Sequence, residues 1–166
     1  MGFKNQRDKT YHKQGLMLKK IITYSLAVFF AVQFIPLNRT NKPVKKSENL
    51  TDLFETPPKV HTVLKKACYD CHSNETKYPA YAYVAPFSWS LKTHVNEGRR
   101  YMNMSEWAGY NKDQKKGILE KSIKTIELGT MPMPAYTAWH PEANLKDAEK
   151  LLLINYFQGI LKLEDY

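Results

Sequence analysis

Cys68-Tyr69-Asp70-Cys71-His72 holds both cysteines of the chain. Two thiols three positions apart on a helical turn, followed at once by an imidazole, form the C-x-x-C-H pattern for covalent attachment of one haem c. The thiols of Cys68 and Cys71 reach the two vinyl groups on one porphyrin edge, and His72 directs its ring at the iron as the first axial ligand. Two other chemistries use part of this pattern. A thiol–disulfide redox pair follows a strand in a βαβ unit, whereas Val60, Val63, Leu64 and Ala67 recur at helical spacing just before Cys68. A zinc site takes four ligands. No second cysteine pair exists, and His61, His94 and His140 are not spaced as a unit.

A second iron ligand is expected downstream, in Gly129-Thr130-Met131-Pro132-Met133-Pro134. Thioether sulfur binds haem iron and raises its potential. A methionine between a glycine turn and prolines sits in a stiff loop that holds the sulfur still at little entropic cost. Met131 is the first choice for the distal position and Met133 the second, followed by His94 and the pair Met102 and Met104. Arg99 and Arg100 are suited to the haem carboxylates. The other ring nitrogen of His72 requires a partner, for which the carbonyls of Pro79 and Pro86 are candidates.

The helical pattern extends around these residues. Helices are expected over 58–68, 86–101 and 147–161, with a further helix opened by Asn111 as N-cap, Gln114 three residues on, and closed by Gly129. Ile118, Leu119, Ile123 and Ile126 make the apolar stripe of that helix. No segment alternates as a strand, so the expected fold is all-α. A core of about 110 residues on four short helices is modest, and the cofactor must supply apolar surface of its own, coupling folding to its attachment.

The first third of the chain is different in kind. Of 25 Lys and Arg residues, ten lie in residues 1–46 against one acid, Asp8; the remaining 15 bases are balanced by 15 acids. The positive charge thus sits on a tail, and the neutral remainder excludes a nucleic-acid-binding domain. Residues 21–35 carry no charge, are preceded by Lys19 and Lys20, and are followed by Pro36 and Arg39. Fifteen residues are short for a bilayer, but Pro36, Leu37 and lysines reaching back to the headgroups lengthen the span. No small-x-small cleavage site follows the run, and no cysteine lies near its end for lipid attachment. The expectation is an uncleaved signal anchor, and Met17 is a second possible start of translation. Bases are concentrated before the run, which puts the N-terminus in the cytoplasm. The chain divides into a basic cytoplasmic tail (1–20), a transmembrane signal anchor (21–37), a linker (38–57) holding the domain off the membrane, and a c-type haem domain (58–166).

Beyond the pentapeptide, the residues Ser73-Asn74-Glu75-Thr76, Tyr78-Pro79, Tyr83-Val84-Ala85-Pro86, Ser88-Trp89, Glu97-Gly98-Arg99-Arg100, Ser105-Glu106-Trp107, Gly129-Thr130-Met131-Pro132 and His140-Pro141-Glu142-Ala143 are in place. With them the chain resembles the small haem-binding domain family of bacterial, membrane-anchored, monohaem c-type cytochromes, over about residues 32–160. The resemblance implies a cytochrome-c-like helical fold, haem tethered at Cys68 and Cys71, His72 as proximal ligand and Met131 as distal ligand. It also implies a location on the cytoplasmic (inner) membrane with the haem domain facing the periplasm. One departure concerns the last helix, where Lys146 stands in place of a Ser or Thr cap, so fraying is expected there. The expected function is one-electron transfer with a redox partner protein at the membrane, without enzymatic activity. The alternatives are a haem-based sensor or peroxidase-like enzyme, which needs an open or leaving ligand position, and a thiol–disulfide protein without haem.

Overall fold

A computed structural model describes residues 3–163. Residues 1 and 2 of the expected tail and 164–166 of the expected haem domain lie outside the described residues. The described residues are all helix, turn and loop, with no strand, in agreement with the all-α expectation.

Helix α1 runs Phe3–Val32 without a break. Its stretch Tyr11–Val32, 22 residues, is long and apolar enough to cross a membrane. Residues 11–31 are exposed along their whole length, so this is not a core helix of the domain. The helix differs from the expected 21–37 span at both ends. It starts well before the uncharged run, because nothing between Phe3 and Lys20 breaks a helix. It stops at Val32, followed by a turn through Gln33–Ile35, because Pro36 disfavours helical geometry at the residue before it.

Residues 38–57, expected as a spacer, lie against the domain. Arg39 Nε donates to the carbonyl of Ala82 (2.7 Å) and Asn41 Nδ2 to that of Thr76 (2.9 Å). The Ala108 amide donates to the carbonyl of Glu48 (3.1 Å). The short helix α2, Leu50–Leu53, sinks Leu50 completely into the core, and the Thr51 hydroxyl meets the Tyr69 hydroxyl at 2.9 Å. The polar composition of this stretch indicates solvent exposure, but its side chains find partners on the domain.

Helix α3, Pro58–Ala67, opens with proline at its first position, where a missing amide costs nothing. It buries Val60, Val63, Leu64 and Ala67. A single turn, α4 (Tyr69–His72), follows directly. Helix α5 spans Phe87–Tyr101 and packs on α4. Helix α6, Lys112–Glu127, carries the expected capping box: Asn111 Oδ1 accepts from the Gln114 amide (2.9 Å) and Gln114 Oε1 from the Asn111 amide (3.0 Å). After the one-turn helix α7 (Pro134–Thr137), helix α8 runs Asp147–Leu161 and packs on α6 and α3. The start of α8 is held: Glu149 Oε2 accepts the Lys146 amide at 3.0 Å, and Glu149 is also paired with Lys66 at 2.6 Å. The acid at the third helical position supplies one half of a capping box, holding the amide of the N-cap residue, whereas Lys146 offers no acceptor to the first helical amides. The core joins Leu50, Leu64, Trp107, Leu119, Leu153 and Phe157.

Because Leu50 is fully buried, Leu50→Ala is expected to cost about 2–5 kcal/mol and to open residues 38–57 to limited proteolysis. Leu53→Ala, at an exposed position, should stay within about 0.5 kcal/mol. Denaturant unfolding of the two variants checks this; equal stability would show that the segment is not part of the core.

Candidate functional site

The site is built where α3, α4, α5 and the loop after α6 converge. Cys68 ends α3 and its carbonyl accepts from the His72 amide (2.9 Å), closing the single turn of α4. Cys71 and His72 therefore project from a turn whose backbone is already satisfied. Gly98 of α5 lies directly against this turn. A Cβ at position 98 would stand 2.4 Å from the carbonyl oxygen of Cys71, so only glycine permits this approach.

The approach sets the chemistry of His72. Its Nδ1 lies 3.0 Å from the carbonyl of Gly98 and 3.2 Å from that of Met102. Both partners accept, so Nδ1 carries the proton and Nε2 keeps its lone pair. These carbonyls replace the expected ones of Pro79 and Pro86; that of Gly98 also accepts the Met102 amide (2.9 Å), using its second lone pair for the imidazole. Burial lowers the pKa of His72 below the ordinary histidine value, opposed by the two carbonyls. The ring is neutral at pH 7 and suited to bind a metal ion.

Met131 arrives through the end of α6. Gly129 adopts φ +64°, the Gly129 amide donates to the carbonyl of Ile126 (3.1 Å), and the Thr130 amide donates to that of Thr125 (3.0 Å). These two bonds make a Schellman close, and the Met131 amide adds a third link to Thr125 at 3.3 Å. On the far side of the loop, Tyr136 donates its hydroxyl to Asp70 Oδ2 at 2.7 Å. Asp70 lies between the two cysteines, so the loop bearing Met131 and Met133 is tied back to the cysteine turn.

Two cavities meet here, about 1230 and 1490 Å³ with their open mouths. His72, Met131, Ala67, Tyr101 and Pro132 line both; Cys71 lines the first and Cys68 the second. The thiols, the imidazole and Met131 are thus brought around one divided space. Met133 and His94 face the first cavity alone, and Met102 the second alone. Met104 is fully buried in the core. A flat, largely apolar cofactor that takes one ligand from each face and two tethers at its edge fits this donor set.

No disulfide joins Cys68 to Cys71. Burial, then the neighbouring Cys71, pushes Cys68 up to about 12; burial, then the charge of Asp70, pushes Cys71 up to about 11. Reactive C-x-x-C pairs have the opposite shift, which disfavours thiol–disulfide exchange as their task. Among the described residues, no three of His, Cys, Asp and Glu gather to hold a metal ion.

The residue pattern of a haem-binding domain matches residues 27–159 of the chain. The chain belongs to the haem-binding domain family. No curated protein and no solved structure matches it. The family match covers the linker and the end of α1 together with the site, in keeping with the packing of residues 38–57 on the domain.

Other expected site residues have different tasks. Arg99 donates to the carbonyl of Ser73 (2.8 Å), to Asn41 Oδ1 (2.7 Å) and to Thr76 Oγ1 (2.8 Å), so its guanidinium is spent on the fold. Arg100 and Lys121 both lie over the Tyr101 ring and line the second cavity. Trp107 is core, whereas Trp139 is exposed at the first cavity. Asp70, Gly98 and Tyr136 carried no signal in motif spacing; the string Glu97-Gly98-Arg99-Arg100 in the family resemblance was the one pointer to Gly98.

Gly98→Ala is expected to destabilise the domain by about 1–3 kcal/mol through overpacking, although alanine is the better helix former. It should also shift the haem absorption spectrum, since the carbonyl partner of His72 moves. Gly159→Ala in α8, where a Cβ meets nothing within 4 Å, should instead stabilise by up to about 1 kcal/mol. Thermal melts and spectra of the two variants test the close approach; a Gly98→Ala protein with native stability and spectrum would refute it.

Proposed function

We propose that this chain is a membrane-anchored monohaem c-type cytochrome that passes single electrons to and from a redox partner protein at the outer face of the bacterial cytoplasmic membrane. The observation that carries the reading is that His72 and Met131 line both cavities while Cys68 and Cys71 each line one. When bound, haem supplies one-electron exchange between ferric and ferrous iron.

The residues divide the work of holding it. Cys68 and Cys71 provide thioether tethers. His72 offers Nε2 as proximal ligand, with its ring fixed by the Gly98 and Met102 carbonyls. Met131 offers the distal sulfur, with Met133 as the alternative on the same loop. Arg100 and Lys121 place positive charge at the second cavity, suited to the haem carboxylates. Leu91, Phe87 and Pro132 give the space apolar walls, which exclude water and favour a high potential. With both His72 and Met131 holding the iron, no position would be left for a substrate, so the chain is not read as an enzyme.

The membrane part of the proposal rests on α1. Its run Tyr11–Val32 is 22 residues, about 33 Å at 1.5 Å per residue, and its uncharged part begins at Ile21, with Lys19 and Lys20 reaching back to the headgroups. Six bases precede Ile21 (Lys4, Arg7, Lys9, Lys13, Lys19 and Lys20) and four follow the uncharged run (Arg39, Lys42, Lys45 and Lys46), which favours a cytoplasmic N-terminus and a periplasmic haem domain.

Met131→Ala is expected to abolish the weak far-red band of an iron–thioether bond in the oxidised protein, to lower the midpoint potential, and to let the reduced protein bind carbon monoxide. The unaltered protein should bind carbon monoxide slowly or not at all. Persistence of the band in the variant would move the distal ligand to Met133; rapid carbon monoxide binding by the unaltered protein would favour a sensor or peroxidase-like enzyme.

A further inference from the structure

The end of α1 is fastened to one turn of the domain. Gln33 Nε2 donates to the carbonyl of Ala85 at 3.3 Å, and the Ala85 amide donates back to Gln33 Oε1 at 2.9 Å. Six residues on, Arg39 holds the carbonyl of Ala82 and lies over the Tyr83 ring, 4.5 Å from its centroid. The segment 82–85 is therefore clamped twice to the chain just leaving α1.

Exposed apolar side chains gather at this clamp. Phe34 is 86% exposed and Tyr83 63%; Ile35, Val84 and Phe87 are exposed as well. They are not scattered singly over the domain: each lies within two residues of Gln33 or of Ala85. A contiguous apolar patch on a polar domain needs a cover, and its position identifies the cover. If the uncharged end of α1, from Ile21 to Val32, enters the hydrocarbon core with Lys19 and Lys20 reaching back to the inner headgroups, Gln33 stands at or just inside its outer edge, and Ala85, bonded to it, stands at the same depth. That is the depth at which aromatic side chains with a polar tip concentrate.

We infer that Phe34, Ile35, Tyr83, Val84 and Phe87 form a lipid-docking surface that seats the domain directly on the outer leaflet. This rests on the reading of α1 as a membrane span. It replaces a domain held off the membrane by a spacer with one lying on the bilayer. Phe87 also lines the first cavity, so that rim of the cofactor site sits at the lipid surface, and a partner reaching it there approaches along the membrane.

The test uses the full, haem-loaded chain in vesicles of phosphatidylethanolamine and phosphatidylglycerol. Single cysteines are placed by Val84→Cys, Tyr83→Cys, Val28→Cys within the span, and Glu120→Cys on α6. Each is challenged with a charged, water-soluble maleimide and, separately, with a photoactivatable phospholipid, and adducts are located by peptide mass spectrometry. Positions 83 and 84 should alkylate several-fold more slowly than 120 and acquire the lipid adduct, as 28 does. Alkylation of 83 and 84 at the rate of 120, with 28 alone lipid-labelled, would overturn the docking surface and leave the span standing. Slow alkylation without lipid adducts would show the patch covered by protein, a second copy of this chain, and also overturn it. A position 28 free of lipid would overturn span and docking together.

Discussion

Helix α5 can lie against the turn carrying Cys71 because position 98 has no side chain: the Cβ of any other residue would sit 2.4 Å from a backbone oxygen. That contact does more than pack two elements. It brings the carbonyls at the end of α5 to His72, fixes the proton on Nδ1, and leaves Nε2 its lone pair on a residue that lines both cavities. Orientation of a ligating imidazole by a carbonyl is what gives such a ligand its direction and basicity. Without the close approach, the cysteine turn would still form, since its hydrogen bonds are local, but the imidazole would be free to rotate.

The opposite wall is held by equally specific means. A Schellman close at Gly129 ends α6 and starts the Met131 loop in one step, and Tyr136 returns the loop to Asp70. Burial pushes the pKa of Tyr136 upward, with the carboxylate of Asp70 adding to the shift, so the phenol remains the donor and the tie persists at neutral pH. Stacking of Tyr136 on His140, and the hydrogen bond between the Tyr81 hydroxyl and His140 Nε2 at 2.8 Å, extend the tie across the first cavity. The loop is therefore anchored at both ends before any cofactor is considered.

What was legible in the sequence is what depends on neighbours along the chain. The apolar spacing of α3, the Asn111–Gln114 capping box, the apolar stripe of α6 and the glycine that closes it are all local signals, and the helices stand where those signals put them. Cys68, Cys71, His72, Met131 and Met133 line the cavities; the spacing of the first three is local, whereas the loop of Met131 reaches the turn of His72 through the packing of α6. What was not legible joins residues far apart: Gly98 against Cys71, Asp70 with Tyr136, Leu50 in the core. No periodicity announces that a glycine faces a carbonyl 27 positions away. The stretch 38–57 shows the same limit from the other side. Its prolines and charges indicate a spacer, but hydrogen bonding by Arg39 and Asn41 to distant carbonyls holds it on the domain.

Membership of the haem-binding domain family and a site of two thiols, an oriented imidazole and a methionine loop meet in one claim, that haem is attached covalently to this chain. Intact-mass spectrometry of the full chain, produced with haem-attachment machinery and denatured before measurement, tests it most directly. The account predicts polypeptide plus one haem, retained in denaturant, with no thiol left to alkylate. Bare polypeptide with two reactive thiols would contradict it.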